Sequence, residues 1–390
     1  MEKPRILALF GGAVLFGQER GNIEALASLK EQGCEVLCLV RDEEWSLHIT
    51  PALDGCGLQW VKVPYIEHRM PGRMWYVIFR NPVAFVLANW HFIRIIRVFR
   101  PTHIHAFNPL YVLNFMIGLS LVPIPMIYRA GDQPTVHNWI WRALWRFIVS
   151  RSTHFVAISR FISESLHDNG VDIERITVIY NSPPRRPTKA SIDLGWLVDR
   201  AGSRFVYVGQ IAQHKGVHLL IEAFRVVVEQ YPQAYLIIAG RISDWKGDKW
   251  ARDLRASTLA DPWLQERVTF TGEIPYVPEL LRLCDVLVVP SVFQEPLSNV
   301  VPEAKAAGIP SIVFPCGGLP ELIEDGVDGS ICSAPTVAAL ADKLRVYMGE
   351  PMLAAQQGEA ALASLSRFGV KKFAKRWLEV YMNSMPHGRL

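Results

Sequence analysis

The chain has 390 residues, half of them hydrophobic, which excludes a disordered chain and is enough for two separate cores. Lys and Arg number 41 against 37 acids, a formal net charge of +4. That mild excess favours anionic ligands or surfaces without demanding nucleic acid. The six cysteines (Cys34, Cys38, Cys56, Cys284, Cys316, Cys332) include no CxxC pair and sit in no tight His/Cys cluster. They read as reduced, mostly buried thiols of a cytoplasmic protein.

Met1-Glu-Lys-Pro-Arg-Ile-Leu runs straight into an apolar strand over 5–10, without the length or cleavage site of a signal peptide. Gly11-Gly12 follows, then a helical pattern over 22–32 stopped by Gly33, then a strand over 35–40. Further strands are expected over 124–128, 153–158 and 176–179, with helical patterns between them, so the first half reads as a parallel α/β domain. No residue between His105 and Arg129 is charged, and that run is long enough to span a bilayer. Asn108, Pro109, Asn114, Pro123 and Pro125 interrupt it; a buried helix followed by a buried strand is the preferred reading, a membrane span the other.

Residues 69–100 contain no Asp or Glu but carry Arg69, Arg73, Arg80, Arg94, Arg97 and Arg100 among Trp75, Phe85, Trp90, Phe92 and other aromatics. Such a segment suits an anionic membrane surface, or equally a core helix with solvated arginines. Pro183-Pro-Arg-Arg-Pro187 then breaks the pattern. It sets a first domain at 1–184 and a linker at 185–202. A second domain at 203–366 has strands over 205–208, 235–239, 268–271, 286–289 and 311–314, and a helix over 218–230. A last helix over 370–383, within 367–390, either caps the second domain or returns to the first.

The densest motif is Glu295-Pro-Leu-Ser-Asn-Val-Val-Pro-Glu303, two carboxylates eight positions apart, followed by Pro315-Cys-Gly-Gly-Leu-Pro-Glu321. Asn299 is placed to cap a helix whose first turn is Val300 to Glu303, where Pro302 is tolerated. A helix N-terminus offers free N–H groups to a diphosphate, and Glu303 one turn in could accept from ribose hydroxyls. The plain alternative is a helix-starting Glu303 and a solvated Glu295; Pro290-Ser291 before them and Gly317-Gly318 with Glu321 after them argue for a site. Upstream, Tyr207-Val-Gly-Gln-Ile-Ala-Gln-His-Lys-Gly216 closes a strand and opens a helix. That turn aims Lys215 at a phosphate, unless it is only a surface lysine. The chain has no Asp-x-Asp pair to hold a metal, so cations and helix N–H groups must stabilise a departing diphosphate.

Together these segments resemble the donor half of the large retaining family of nucleotide-sugar glycosyltransferases called family four, or group 1. The resemblance implies an α/β fold of two facing Rossmann-like domains (GT-B architecture) with an inter-domain cleft. It implies a retaining transfer of a hexose from a nucleotide-diphosphate sugar to an acceptor hydroxyl, with no metal and no cofactor. Glu295 would contact the hexose near the reacting centre and Glu303 the ribose. Gly209, Lys215, Ser298, Asn299 and Val300 would surround the diphosphate. Gln210 stands where the family commonly has Arg; it donates hydrogen bonds but carries no charge, so Lys215 or Arg241 must compensate. Ser298 stands where Gly is frequent.

On the first domain, the loop Gly11-Gly12-Ala-Val-Leu-Phe-Gly17 would close over the diphosphate, or is a mere tight turn; it lacks the G-x-G-x-x-G fingerprint of a nicotinamide dehydrogenase. Ile127-Tyr-Arg-Ala-Gly-Asp132 lies where many relatives carry a sugar-contacting His, which leaves Asp132 as a catalytic candidate. His105 matches a family element or is a satisfied buried histidine, and Ser159 and Asn181 match positions near the cleft. The implied partners are a nucleotide-sugar donor and a lipid-linked or saccharide acceptor, with peripheral membrane association through 69–100 and no nucleic acid. The implied setting is bacterial surface-polysaccharide or lipopolysaccharide synthesis at the cytoplasmic face of the membrane. The rivals are a sugar-nucleotide epimerase of the same architecture and a non-catalytic nucleotide-sugar-binding scaffold.

Overall fold

The computed structural model describes residues 3–11, 15, 17–41, 49–64, 82–182, 195–198, 202–242, 249–274, 276–368 and 370–385. The chain divides after Ser182 into two compact units, and from Val370 it belongs to the first unit again.

The first unit alternates strands and helices: β1 (Arg5–Leu9), α1 (Gly17–Glu31), β2 (Glu35–Arg41), α2 (Thr50–Gly55), β3 (Gln59–Val63), α3 (Pro82–Phe99) and β4 (His103–Ala106). It continues through α4 (Pro109–Asn114), α5 (Met116–Leu121), β5 (Met126–Ala130), α6 (Trp139–Arg151), β6 (Ser152–Ala157), α7 (Arg160–Asp168) and β7 (Ile176–Val178). The seven strands form one parallel sheet in the order β3-β2-β1-β4-β5-β6-β7. A sheet covered on both faces needs strands that are apolar on both sides, and Ile6 to Leu9 are fully buried. Side-chain caps fix where several helices begin. Asn108 Oδ1 accepts from Leu110 N (2.9 Å) at α4, Asn138 Oδ1 from Trp141 N (3.0 Å) at α6, and Ser159 Oγ from Ile162 N (3.1 Å) at α7.

The second unit holds α8 (Gly195–Val198), β8 (Arg204–Val208), α9 (Val217–Val228), β9 (Tyr235–Ala239), α10 (Lys249–Ala260), β10 (Val268–Gly272) and α11 (Val277–Arg282). Then come β11 (Val286–Val289), α12 (Val300–Ala306), β12 (Ser311–Val313), β13 (Gly329–Ile331), α13 (Val337–Gly349) and α14 (Pro351–Ser364). Its parallel sheet runs β10-β9-β8-β11-β12-β13. In both sheets the strand order reverses direction once, between β1 and β4 and between β8 and β11. Such doubly wound sheets bind ligands beyond the carboxyl ends of the strands at that reversal.

The final helix, α15 (Val370–Asn383), packs on α1 of the first unit. Its apolar residues Phe373, Ala374, Trp377, Val380 and Tyr381 recur at helical spacing and are all buried. The uncharged stretch 105–129 folds as two six-residue helices, α4 and α5, and the buried strand β5; the helices are too short to cross a bilayer. The first helix starts at Gly17, earlier than the expected 22, and β3, β4 and β13 add to the expected strands. Five cysteines are free and buried, and Cys56 is free and half-buried. Of the basic aromatic segment, 69–81 lies outside the described residues, and 82–100 is α3 with Arg100 after it. The linker expected at 185–202 also lies mostly outside them.

Candidate functional site

The sequence motifs of the second unit meet where three loops leave the carboxyl ends of β8, β11 and β12. After β8 the chain makes a tight 3-10 turn over Gln213–Lys215, then passes through Gly216 into α9. Gly216 has φ +70°, and a Cβ there would lie 1.8 Å from the Pro290 carbonyl oxygen. Only glycine permits both that left-handed backbone and that approach. Val292 N donates to His214 O (3.1 Å), which ties this loop to the one after β11.

Lys215 Nζ then sits 2.8 Å and 3.0 Å from Glu295 Oε2 and Oε1. Ser291 Oγ donates to Glu295 Oε2 (2.9 Å), and the Glu295 carbonyl accepts from Gly318 N (2.8 Å). Gln294 Oε1 accepts from Gly317 N (2.8 Å). Gly317 has φ +60°, and a Cβ there would stand 2.2 Å from Glu295 O. The Glu295 side chain is 12% exposed and that of Lys215 23%, so both charges are partly desolvated while remaining reachable. The ammonium also lies 4.6 Å from the centre of the Phe293 ring, a cation–π contact, with His214 edge-on to the same ring. The His214 imidazole is held below its ordinary pKa, first by burial and then by the Lys215 charge.

Ser298, buried, leads to Asn299 and the short helix α12, which carries Val300 at its start and Glu303, half-buried, in its first turn. The expected cap by the Asn299 side chain does not form. Asn299 already has helical backbone angles (φ −80°, ψ −28°), whereas a capping side chain needs an extended backbone to reach back to the first turn. The helix is instead anchored from below, where the buried Lys305 ammonium donates to Asp328 and to Ser364 Oγ (3.0 Å). Gly209 N donates to Ala239 O (2.9 Å), Gln210 is exposed with its carbonyl accepting from Tyr207 Oη (2.6 Å), and Ile211 N donates to Arg241 O (3.2 Å). Gly209, Gln210 and the exposed Arg241 therefore lie on the adjoining ends of β8 and β9.

The second unit thus brings Lys215 together with Glu295, and Ser298, Asn299, Val300 and Glu303 along one loop and helix. Asp132 belongs to the first unit, after β5, and Gly12 lies outside the described residues. In the first unit His105 Nε2 lies 2.8 Å from Asn22 Oδ1 and Nδ1 2.7 Å from Tyr381 Oη. Burial, then the charge of Arg129, pushes its imidazole down to about 3, so it is a satisfied neutral core histidine. Asn181 Oδ1 accepts from Arg129 Nη2 (2.7 Å), and Ser159 caps α7. Arg129 is fully buried; desolvation lowers its guanidinium to about 10, while Asp132 and Glu19 counter that shift.

The sequence gives no sign of Ser291 as a partner of Glu295, nor of Phe293, Gln294 and Lys305. Pro290-Ser291 was the one local signal, because the other contacts join loops distant in sequence.

Residues 199–363 match the family described as glycosyl transferases group 1, and residues 17–182 match a glycosyl transferase 4-like domain. YtcC of Bacillus subtilis (strain 168), a putative glycosyltransferase, is 31% identical over 199 residues, 47% of this chain and 48% of that protein. The chain thus spans about half the length of that relative. LpsB of Rhizobium meliloti (strain 1021), a lipopolysaccharide core biosynthesis mannosyltransferase, is 26% identical over 282 residues, 71% of this chain and 76% of that protein. The crystal structure of Anabaena Alr3699/HepE in complex with UDP has a TM-score of 0.79 at 19% identity, covering 97% of this chain and 100% of that one. At that identity the likeness is one of fold.

Proposed function

The chain belongs to the group 1 glycosyltransferases, a family of two Rossmann-like domains, and we propose that it moves a hexose from a nucleotide-diphosphate sugar to an acceptor hydroxyl with retention at the anomeric carbon. The observation that carries this reading is the Lys215–Glu295 pair, held at the carboxyl ends of β8 and β11 where the sheet order reverses. HepE, a chain of the same fold solved with UDP, supports a nucleoside diphosphate as part of the donor.

In this reading the bond between the anomeric carbon and the diphosphate oxygen breaks as the acceptor oxygen attacks from the same face. The acceptor proton passes to the departing diphosphate oxygen. Lys215 neutralises the charge that develops there, and Arg241 on the neighbouring strand end supplies the cation that Gln210 lacks. Glu295, released from Lys215 as the diphosphate arrives, orients the hexose and stabilises positive charge on its ring. Glu303 accepts from the ribose hydroxyls. Asp132, on the first unit, is the candidate contact to a sugar substrate there.

The acceptor is membrane-borne in this reading, and α3 supports it. Its 18 residues have a mean hydropathy of 1.3, yet only 22% of them are buried. Val83, Val86, Leu87 and Trp90 are exposed along one stripe, which continues into Arg94, Arg97 and Val98. An apolar stripe ending in arginines suits the headgroup boundary of an anionic membrane. LpsB, whose name places it in lipopolysaccharide core synthesis, supports a surface-glycan acceptor.

The test is nucleotide release from UDP-, GDP- and ADP-sugars, with and without a membrane lipid extract, by the wild type and Lys215→Ala. Release from one donor, raised by lipid and lost in the variant, is expected. Conversion of a donor to its epimer without any acceptor would replace this reading with an epimerase.

A further inference from the structure

Glu295 and Glu303 stand on one loop and helix, and a buried ion pair on the far side of that helix bears on the distance between them. Lys305, two residues past Glu303 on α12, donates from Nζ to Asp328 Oδ2 and to Ser364 Oγ (3.0 Å), and both charged side chains are 1% exposed. We propose that Lys305 and Asp328 are positioning residues that set Glu303 against Glu295 and so keep the nucleotide in register with the sugar, a role that rests on the glycosyl-transfer reading.

The helix has little with which to position itself. It is seven residues long, about two turns, and so short a helix has almost no stability of its own. Asn299 does not cap it. Val301 and Ala304 are fully buried, but apolar burial is non-directional and resists sliding poorly. The Lys305 ammonium is directional. Its acceptors come from the loop before β13 and from the last residue of α14, so two separate elements hold α12.

The Asp328 end is itself fixed, and it leads back to Glu295. Asp328 Oδ1 accepts from Glu324 N (2.8 Å), and Asp328 N donates to Glu324 O (3.1 Å). Before Glu324 the chain makes a 3-10 turn over Leu319–Leu322, with Leu319 and Leu322 fully buried. At the head of that turn Gly318 N donates to the Glu295 carbonyl (2.8 Å). A closed circuit therefore runs from Glu295 along α12 to Lys305, across to Asp328, and back through 318–328 to the Glu295 backbone. Opening it at the ion pair leaves Glu303 tied to Glu295 only through residues 296–302 and apolar packing.

Stability alone does not call for such a pair, because well-packed apolar side chains of similar volume usually serve a core as well or better. What the pair adds is a single permitted position, since a shift of α12 would leave two buried charges uncompensated.

Calorimetric titration with UDP, GDP and ADP, beside urea unfolding of each protein, tests this. The variants are the neutral pair Lys305→Met with Asp328→Asn, Ser364→Ala, Glu303→Ala, and each of the first two combined with Glu303→Ala. Asn keeps an acceptor for Glu324 N, and Met keeps an unbranched chain. The neutral pair should fold and bind the preferred nucleotide about threefold to tenfold more weakly, bounded by the loss of the whole Glu303 contact. Ser364→Ala should weaken binding by a smaller factor. In the Glu303→Ala background neither change should add more than about twofold, because the contact they position is already gone. A lowered urea midpoint with an unchanged Kd makes the pair purely structural and overturns the proposal. Equal weakening with and without Glu303 overturns it as well. If the neutral pair does not fold, Ser364→Ala carries the same comparison, and an unchanged Kd there overturns the role. Binding of none of the three nucleotides by the wild type overturns the donor reading and takes this role with it.

Discussion

Lys215 Nζ lies 2.8 Å from Glu295 Oε2, so the one ammonium on the loop after β8 is engaged by a carboxylate from the loop after β11. The two charges neutralise each other in the ligand-free protein, which lowers the cost of keeping both partly buried. In the proposed function a diphosphate, which carries more negative charge than one carboxylate, displaces it, so that Lys215 faces the leaving group and Glu295 turns towards the sugar.

Lys215→Ala is predicted to lower kcat by roughly 10- to 150-fold, the equivalent of a charged hydrogen bond of about 1.5–3 kcal/mol. Its effect on stability should be under about 1 kcal/mol, because the pair is partly solvated. Steady-state kinetics beside a denaturation curve separates the two effects, and wild-type turnover would falsify the role given to Lys215.

Glu303→Ala is predicted to raise the Kd for the preferred free nucleoside diphosphate by about tenfold, near the net worth of a charged hydrogen bond to a ribose hydroxyl. Titration calorimetry with the nucleotide alone reads this directly. An unchanged Kd removes the ribose from Glu303.

The alternation of strands and helices, and the positions of Lys215 just before α9 and Glu303 in the first turn of α12, were legible because they rest on local pattern: an apolar run, a glycine, then a charge at the head of a helix. The partnership of Lys215 with Glu295 was not, since the residues stand 80 positions apart and meet only through Gly216 and Gly317. Asn299 shows the limit of reading caps from residue type, because its backbone angles, set by the preceding loop, decide whether the side chain can reach. The short strands β3 and β13 lack a continuous apolar run of their own, and pairing with β2 and β12 creates them. His105 looked equally like a site residue and a core residue, and the arrival of Tyr381 from α15, 276 positions away, makes it the latter.

Val86→Asp combined with Trp90→Asp is predicted to abolish co-sedimentation with phosphatidylserine-containing vesicles while leaving the fold intact, because both side chains are at least half exposed on α3. Arg94→Gln with Arg97→Gln should weaken the same binding by about 1 kcal/mol per arginine and reduce its sensitivity to salt. Equal sedimentation of wild type and variants would remove the membrane from the role of α3.

The first unit should lose stability in acid below the range where most proteins are at their best, and two buried histidines give the sign. Burial lowers His103 to about 4 and His105 to about 3, against an ordinary value near 6.5 in the unfolded chain. Between those limits the unfolded state binds a proton that the folded state refuses, so stability rises with pH. The contribution is complete above about pH 6.5 and drains away as pH falls towards 4, at about 1.4 kcal/mol per pH unit for each histidine. His105→Gln keeps a hydrogen-bonding side chain between Asn22 and Tyr381 but cannot titrate. Urea unfolding at a series of pH values from 7.5 to 4.5 should therefore give a shallower dependence for the variant than for the wild type. Parallel curves for the two proteins would mean that His105 gains its proton without unfolding, and that the network joining α15 to β4 tolerates the charge.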